Sequence, residues 1–301
     1  MITNISEVSY DDRIVAFVDI LGFKDIIRKS ERSLTKLQFL YQALEFLKRR
    51  ESSNNWSLQL IEIEECAQKR GVENFDICGL TVCTCFSDSI VVSVKYDKSN
   101  INELTSTLIA NLSYIGAVLM TKGILLRGGL TIGKLIHMDN GIIMGQALID
   151  AHNLETTSAK YPRIIISDKL IQQLNYPIET KKNSYPYHQY LYRFEDGCVG
   201  FHQMIYFQVL QNSSFLNKTR LKKELKKIRK TIINGLDDSF ENSEIHAKYQ
   251  WLKKEYDKLI IFEEKEKIYE INEGLSGGNI HYSYSNDFYE SRNTNNKNAS
   301  R

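Results

Sequence analysis

Apolar positions along the chain follow two periods. The run Arg13-Ile-Val-Ala-Phe-Val-Asp-Ile-Leu-Gly-Phe23 is too hydrophobic for a sheet edge and predicts an interior strand that ends in a carboxylate and a glycine turn. Beyond it, Phe23, Ile26, Ile27, Leu34, Leu37, Leu40, Tyr41, Leu44 and Leu47 recur mostly three or four apart, predicting helix from 23 to 50 with an interruption near Ser30 to Ser33. Thr81-Val-Cys-Thr-Cys-Phe-Ser-Asp-Ser-Ile-Val-Val-Ser-Val94 returns to strand character, with Asp88 at a polar break that predicts a hairpin tip. Leu104, Leu108, Ile109, Leu112, Ile115 and Leu119 predict a second helix over 101–121, ending before Lys122-Gly123. Ile124 to Gly133 reads as a central strand with close backbone approach at its glycines. Leu135 to His137 and Ile142 to Met144 flank the hairpin signal Asn140-Gly141, Gly145 to Glu155 opens a third helix, and Arg163 to Ser167 is a buried strand. The order β-α-β-β-α-β-β-β-α-β predicts an α/β (α+β) fold, a mixed sheet with helices on one face.

Residues 51–76 are harder to place, with 58–66 read as a strand extension or an insertion. After Asp168 the pattern shifts. Short pieces with tyrosines at 185, 187, 190, 192 and 206 read as a partly buried β-rich region in preference to a base-stacking platform. Lys218 to Gly235, with Leu221, Leu225, Ile228 and Ile232, predicts a helix with a solvated lysine face, and His246 to Ile261 predicts another. Gly, Ser, Asn and Tyr from Gly274 onward predict a flexible tail. The expected organisation is a domain over 1–170, an extension over 171–273 that braces it or a dimer, and a tail over 274–301.

Composition narrows the function classes. The 301 residues are 42% apolar, enough for a substantial core, and the net charge of +2 argues against a stable nucleic-acid binder. The five cysteines form no CxxC pair, and no basic segment followed by a long apolar run opens the chain, so a reduced, cytoplasmic protein without a membrane span is expected. Cys83 and Cys85 read as small core residues.

Chemistry enters through Asp19 and Asp88, each at the end of a rigid strand, which is where carboxylates for a divalent ion and a phosphorylated substrate would be held. Strand, glycine turn and helix start also make a phosphate-binding layout. Plainer roles stand beside these: Asp19 as a helix cap, Arg127 as a buried paired cation, Tyr41 as packing on an apolar helix face, and His152 and Asn153 as solvated helix positions.

Phe17-Val-Asp-Ile-Leu-Gly-Phe23, Phe86-Ser-Asp-Ser89, Leu126-Arg-Gly-Gly-Leu-Thr-Ile-Gly133 and Gly145 to Glu155 together resemble the class III nucleotidyl cyclase catalytic domain over roughly residues 10–170. Within it the chain is most similar to the bacterial anti-phage pyrimidine (uridylate/cytidylate) cyclases of Pycsar systems, to which Lys248-Tyr-Gln-Trp-Leu252 adds a further likeness. The resemblance implies a ferredoxin-like fold with a mixed, mostly antiparallel sheet and a helical C-terminal extension. It implies two Mg²⁺ or Mn²⁺ ions held by Asp19, Asp88 and the Ile20 carbonyl, and β- and γ-phosphates on the amides of Leu21, Gly22, Phe23 and Lys24. It also implies Tyr41 against a pyrimidine base, Arg127 in a phosphate or structural role, and a head-to-tail homodimer with composite sites.

The implied reaction turns UTP, or alternatively CTP, into a 3',5'-cyclic monophosphate and pyrophosphate, a second messenger sensed by a separate effector. Departures bear on the base and on catalysis. Thr84 and Ile142 stand where purine cyclases carry an adenine-reading lysine and aspartate, and Ile149 and Asn153 stand where the third helix usually has asparagine and arginine. A degenerate homologue that binds a nucleotide without catalysis is the rival reading.

Overall fold

The computed structural model describes residues 8–52, 80–174, 191–207, 218–261, 271–276 and 279–284. They belong to two compact units, one over 1–119 and 124–215, the other over 120–123 and 216–301. The expected strand or insertion at 58–66, Cys66, Cys78 and the tyrosines at 185, 187 and 190 lie outside the described residues.

The first unit is built on strand β1 (Asp11–Ile20), which pairs antiparallel with β3 (Ser89–Lys95) on one side and β4 (Leu126–His137) on the other. Strand β2 (Thr81–Cys85) pairs antiparallel with β3, so these four lie in the order β2-β3-β1-β4, a ferredoxin-like arrangement. Beyond β4 the sheet continues through β6 (Arg163–Ile166), β8 (Val199–His202) and β7 (Tyr192–Arg193), with β5 (Ile143–Met144) as a short side partner of β4. Among the described residues only β4–β6 is a parallel pair, and the sheet is mixed and mostly antiparallel, as expected. It also runs past residue 170. Arg163, buried on β6, pairs with Asp196 and lies 4.6 Å over the Phe194 ring, tying β6 to the β7–β8 turn.

One face of β1, carrying Ile14, Ala16, Val18 and Ile20, packs under α1 (Phe23–Glu31), α2 (Leu34–Ser52) and α3 (Ile101–Met120). The expectation of helices on one face is corrected: α4 (Gln146–Thr157) covers the other, seating Ala147 and Ala151 on Val15, Val91 and Leu135. β1 is apolar on both faces, and a strand buried on both faces requires two covering layers. The break expected near Ser30 to Ser33 separates α1 from α2, where the Ser33 carbonyl accepts from Leu37 N at 2.9 Å. Leu126 to His137 is one continuous strand of 12 residues, not the two separate strands expected, and it turns at Asn140-Gly141 into β5. Helix α3 is long and apolar enough to cross a membrane by length and composition, yet 78% of that window is buried inside the protein, so its apolarity is accounted for by the core. Helix α5 (Asp168–Gln173) starts on Ser167, whose side chain accepts from Leu170 N.

Tyr192 stacks on His202 with ring centroids 5.4 Å apart, and Tyr206 is buried beside Tyr114, so these two of the five tyrosines are packing residues. In the second unit, α6 (Lys218–Asp238) buries Leu221, Leu225, Ile228, Ile232 and Leu236 and exposes Lys223, Lys226, Lys227 and Lys230, the solvated lysine face expected. Helix α7 (Ser243–Ile261) carries Leu252 and Tyr256 into that core. Strands β9 (Ile271–Ser276) and β10 (Asn279–Tyr284) pair antiparallel, and the rest of the tail expected from Gly274 lies outside the described residues.

Candidate active site at the end of the central strand

Register brings the chemistry together. Asp19, at the penultimate position of β1, stands opposite Ser89 on β3 and Arg127 on β4. Asp88, in the β2–β3 turn, is drawn to the same end because its carbonyl accepts from Ile20 N at 3.0 Å. The Ser89 hydroxyl lies 3.3 Å from Asp19 Oδ1 and 3.5 Å from Asp88 Oδ1, within reach of both carboxylates. Burial pushes the Asp19 carboxyl above its ordinary range and the neighbouring Asp88 charge adds to this, while Arg127 and Ser89 oppose it.

A divalent cation fits this donor set, since two carboxylates converge with a surplus of negative charge. Among the described residues no group of three or more His, Cys, Asp or Glu side chains is arranged to hold a metal. The remaining oxygens would therefore come from backbone, water and substrate, as at Mg²⁺ sites of phosphoryl transfer.

Behind Asp19 the Arg127 guanidinium is shared. Its Nη2 lies 3.5 Å from Asp19 Oδ2 and its Nε 2.6 Å from Glu155 Oε1, the latter a close ion pair. Glu155 is only 2% exposed, and burial raises its carboxyl above the ordinary range against the pull of Arg127. Nothing in the motif reading singled out Glu155. The signal was there: it follows Ala147 and Ala151 at spacings of four, the phase that faces the sheet. Gly129 permits the approach, because a Cβ there would lie 2.3 Å from the Ala151 carbonyl oxygen and 2.6 Å from Leu154 Cβ.

At the helix start, Gly22 caps α1 in the left-handed region with φ 77°, and its carbonyl accepts from Asp25 N and Ile26 N. Gly22, Phe23 and Lys24 thus supply first-turn amides that the helix itself does not use. The Leu21 amide is different. It donates to the Leu125 carbonyl at 2.8 Å, so a phosphate could take it only by breaking that backbone bond.

The remaining expected residues are dispersed. Tyr41 is 66% exposed on α2, so it is not packed on the apolar face. Asn153 and His152 are exposed on α4, Asn153 about 200° around the helix from Glu155, and the fold does not bring Asn153 to Asp19 and Asp88. Ile142 and Ile149 are exposed as well.

Thr84 is buried, and its hydroxyl meets His137 Nε2 at 2.9 Å. The His137 Nδ1 lies 2.8 Å from Ser93 Oγ, which accepts from Arg13 Nη1 at 3.1 Å. Burial, with a smaller push from Arg13, lowers the His137 pKa to about 4, so the imidazole is neutral near pH 7. The unfolded chain protonates near 6.5, so stability falls as pH drops from 6.5 towards 4, by up to about 3 kcal/mol. Urea unfolding at pH 7 and 4.5 checks this: the wild type should lose more stability than His137→Gln over that interval, and equal losses would remove His137 as the cause.

No protein-family model matches the chain, and no curated protein matches it. Solved structures do. The catalytic core of a rhodopsin-guanylyl cyclase with converted specificity, in complex with ATPαS, is 17% identical at TM-score 0.35, covering 64% of this chain and 93% of that one. A bacterial light-regulated adenylyl cyclase is 12% identical at TM-score 0.36, covering 76% of this chain and 59% of its own length. A second such structure is 10% identical at TM-score 0.36, covering 75% and 60%.

Proposed function

We propose that the chain is a nucleotidyl cyclase that converts UTP to 3',5'-cyclic UMP and pyrophosphate, producing a second messenger for anti-phage defence that a separate effector senses. The observation that carries this reading is the meeting of Asp19 and Asp88 at one end of β1, beside the open first turn of α1. Asp19, Asp88 and the Ile20 carbonyl would hold two Mg²⁺ or Mn²⁺ ions. When bound, these ions offset triphosphate charge and lower the pKa of the ribose 3'-hydroxyl. The amides of Gly22, Phe23 and Lys24 meet the β- and γ-phosphates, and Arg127 meets phosphate oxygens from the strand behind Asp19.

Tyr41 narrows the pocket against purines. Thr84 shapes the pocket instead of reading the base, since its hydroxyl already meets His137. The sites belong to a homodimer in this reading. Exposed Ile142, Met144 and Ile149 give a second copy apolar surface to cover, and Asn153 on the outer side of α4 would serve the partner's site.

The test is incubation of the full chain with ATP, GTP, CTP or UTP and Mn²⁺, with products identified by mass. Cyclic UMP is expected. Cyclic CMP would move the substrate to CTP, and no cyclic product from any of the four would favour the degenerate nucleotide-binding reading, which the absence of an arginine at position 153 motivates. Tyr41→Ala should leave stability within about 0.5 kcal/mol, since the side chain is exposed. It should lower the preference for UTP over ATP in kcat/KM by roughly tenfold or more. An unchanged preference would take Tyr41 out of the base pocket.

A further inference from the structure

Four charged groups stand in a row, Asp88, Asp19, Arg127 and Glu155, and their spacing is uneven. Arg127 Nε is 2.6 Å from Glu155 while its Nη2 is 3.5 Å from Asp19, so the shorter charge contact is the one farther from the paired carboxylates, although it lacks the alignment of a hydrogen bond and the long Asp19 contact has it. Glu155 occupies a helix position whose two predecessors in phase are alanines, and it is almost wholly removed from water. Replacing such a pair by apolar residues is often neutral or stabilising, so stability alone does not account for a carboxylate there.

We propose that Glu155 is a positioning residue that draws Arg127 away from Asp19, keeping the Asp19–Asp88 pair available to a divalent cation and turning the guanidinium toward an incoming anion. The inference rests on the reading of Asp19 and Asp88 as a cation site. A guanidinium free to settle on Asp19 would occupy the place of the divalent ion and compete with it directly. Glu155 lies against the Nε edge, and among the described residues Nη1 makes no ion pair, as contact with a phosphate oxygen requires.

The experiment is a calorimetric titration of Mn²⁺ alone into the metal-free full chain, which reads the site without turnover. With Glu155→Gln, Arg127 is expected to shift to Asp19 and Mn²⁺ to bind roughly tenfold more weakly, the scale seen when a residue behind a metal ligand is changed. With Arg127→Met, and with Arg127→Met and Glu155→Met together, Mn²⁺ affinity should return to the wild-type value or exceed it, because no guanidinium competes. The double variant also covers the case in which Glu155→Gln fails to fold, since it removes both buried charges at once.

Wild-type affinity in folded Glu155→Gln, or weakened Mn²⁺ binding in either Arg127 variant, would overturn the positioning role while leaving the metal reading intact. A wild type whose Mn²⁺ isotherm is the same as that of Asp19→Asn would overturn the metal reading itself, and the positioning role with it.

Discussion

Asp19→Asn should lower cyclic nucleotide formation by about a thousandfold or more and leave the protein at least as stable as the wild type. The activity loss follows from the position. Asp19 is one of two carboxylates that converge at the end of β1, and phosphoryl transfer depends almost entirely on positioning and charge, so a neutral amide cannot replace it. Stability should move the other way or not at all. Asp19 is largely removed from water beside Asp88, and the asparagine keeps the size of the side chain and an oxygen for the Ser89 hydroxyl while relieving the repulsion. Product assays paired with thermal unfolding of both proteins check the two halves separately. Residual turnover within tenfold of wild type would remove Asp19 from the chemistry.

Gly129→Ala should destabilise the first unit by about 3 kcal/mol, at the upper end of what overpacking costs. The added methyl would lie 2.3 Å from the Ala151 carbonyl oxygen, and a backbone atom cannot step aside as a flexible side chain can. Either β4 or α4 must move, and α4 carries Glu155, so the ion pair with Arg127 should loosen with it. Gly197 makes a useful contrast: it lies at φ 81° with nothing within 4 Å of its added Cβ, so Gly197→Ala carries only a left-handed backbone penalty of about 1 kcal/mol. Urea denaturation of the two variants checks the difference. Equal stabilities would mean that α4 does not need its close approach to β4.

Much of the fold was legible because its signals are local. The apolar run of β1, the polar break at Asp88, the Asn140-Gly141 turn and the lysine face of α6 each depend on a few neighbouring residues, and each was found in the expected place. Misreadings came where a local pattern has two solutions. Leu135 to His137 reads as a separate strand only if Gly133 ends its predecessor. Tyr41 shares the spacing of the apolar face of α2 yet stands in solvent, because which neighbours cover a helix face is settled elsewhere in the chain.

The sequence by itself determined that one carboxylate lies near the end of a rigid strand and another at a hairpin tip, and that a glycine turn opens a helix beside the first. Those features follow from the period of apolar positions and from turn chemistry, which act over a few residues. Only the tertiary structure decided that Asp19 meets Arg127 across 108 positions of sequence, or that Thr84 meets His137 across 53. It also decided that α4 lies on the second face of the sheet with Glu155 pressed behind Arg127. Such contacts depend on strand register and on which face each helix covers. Both are set by burying the whole apolar surface at once, so no single segment carries them.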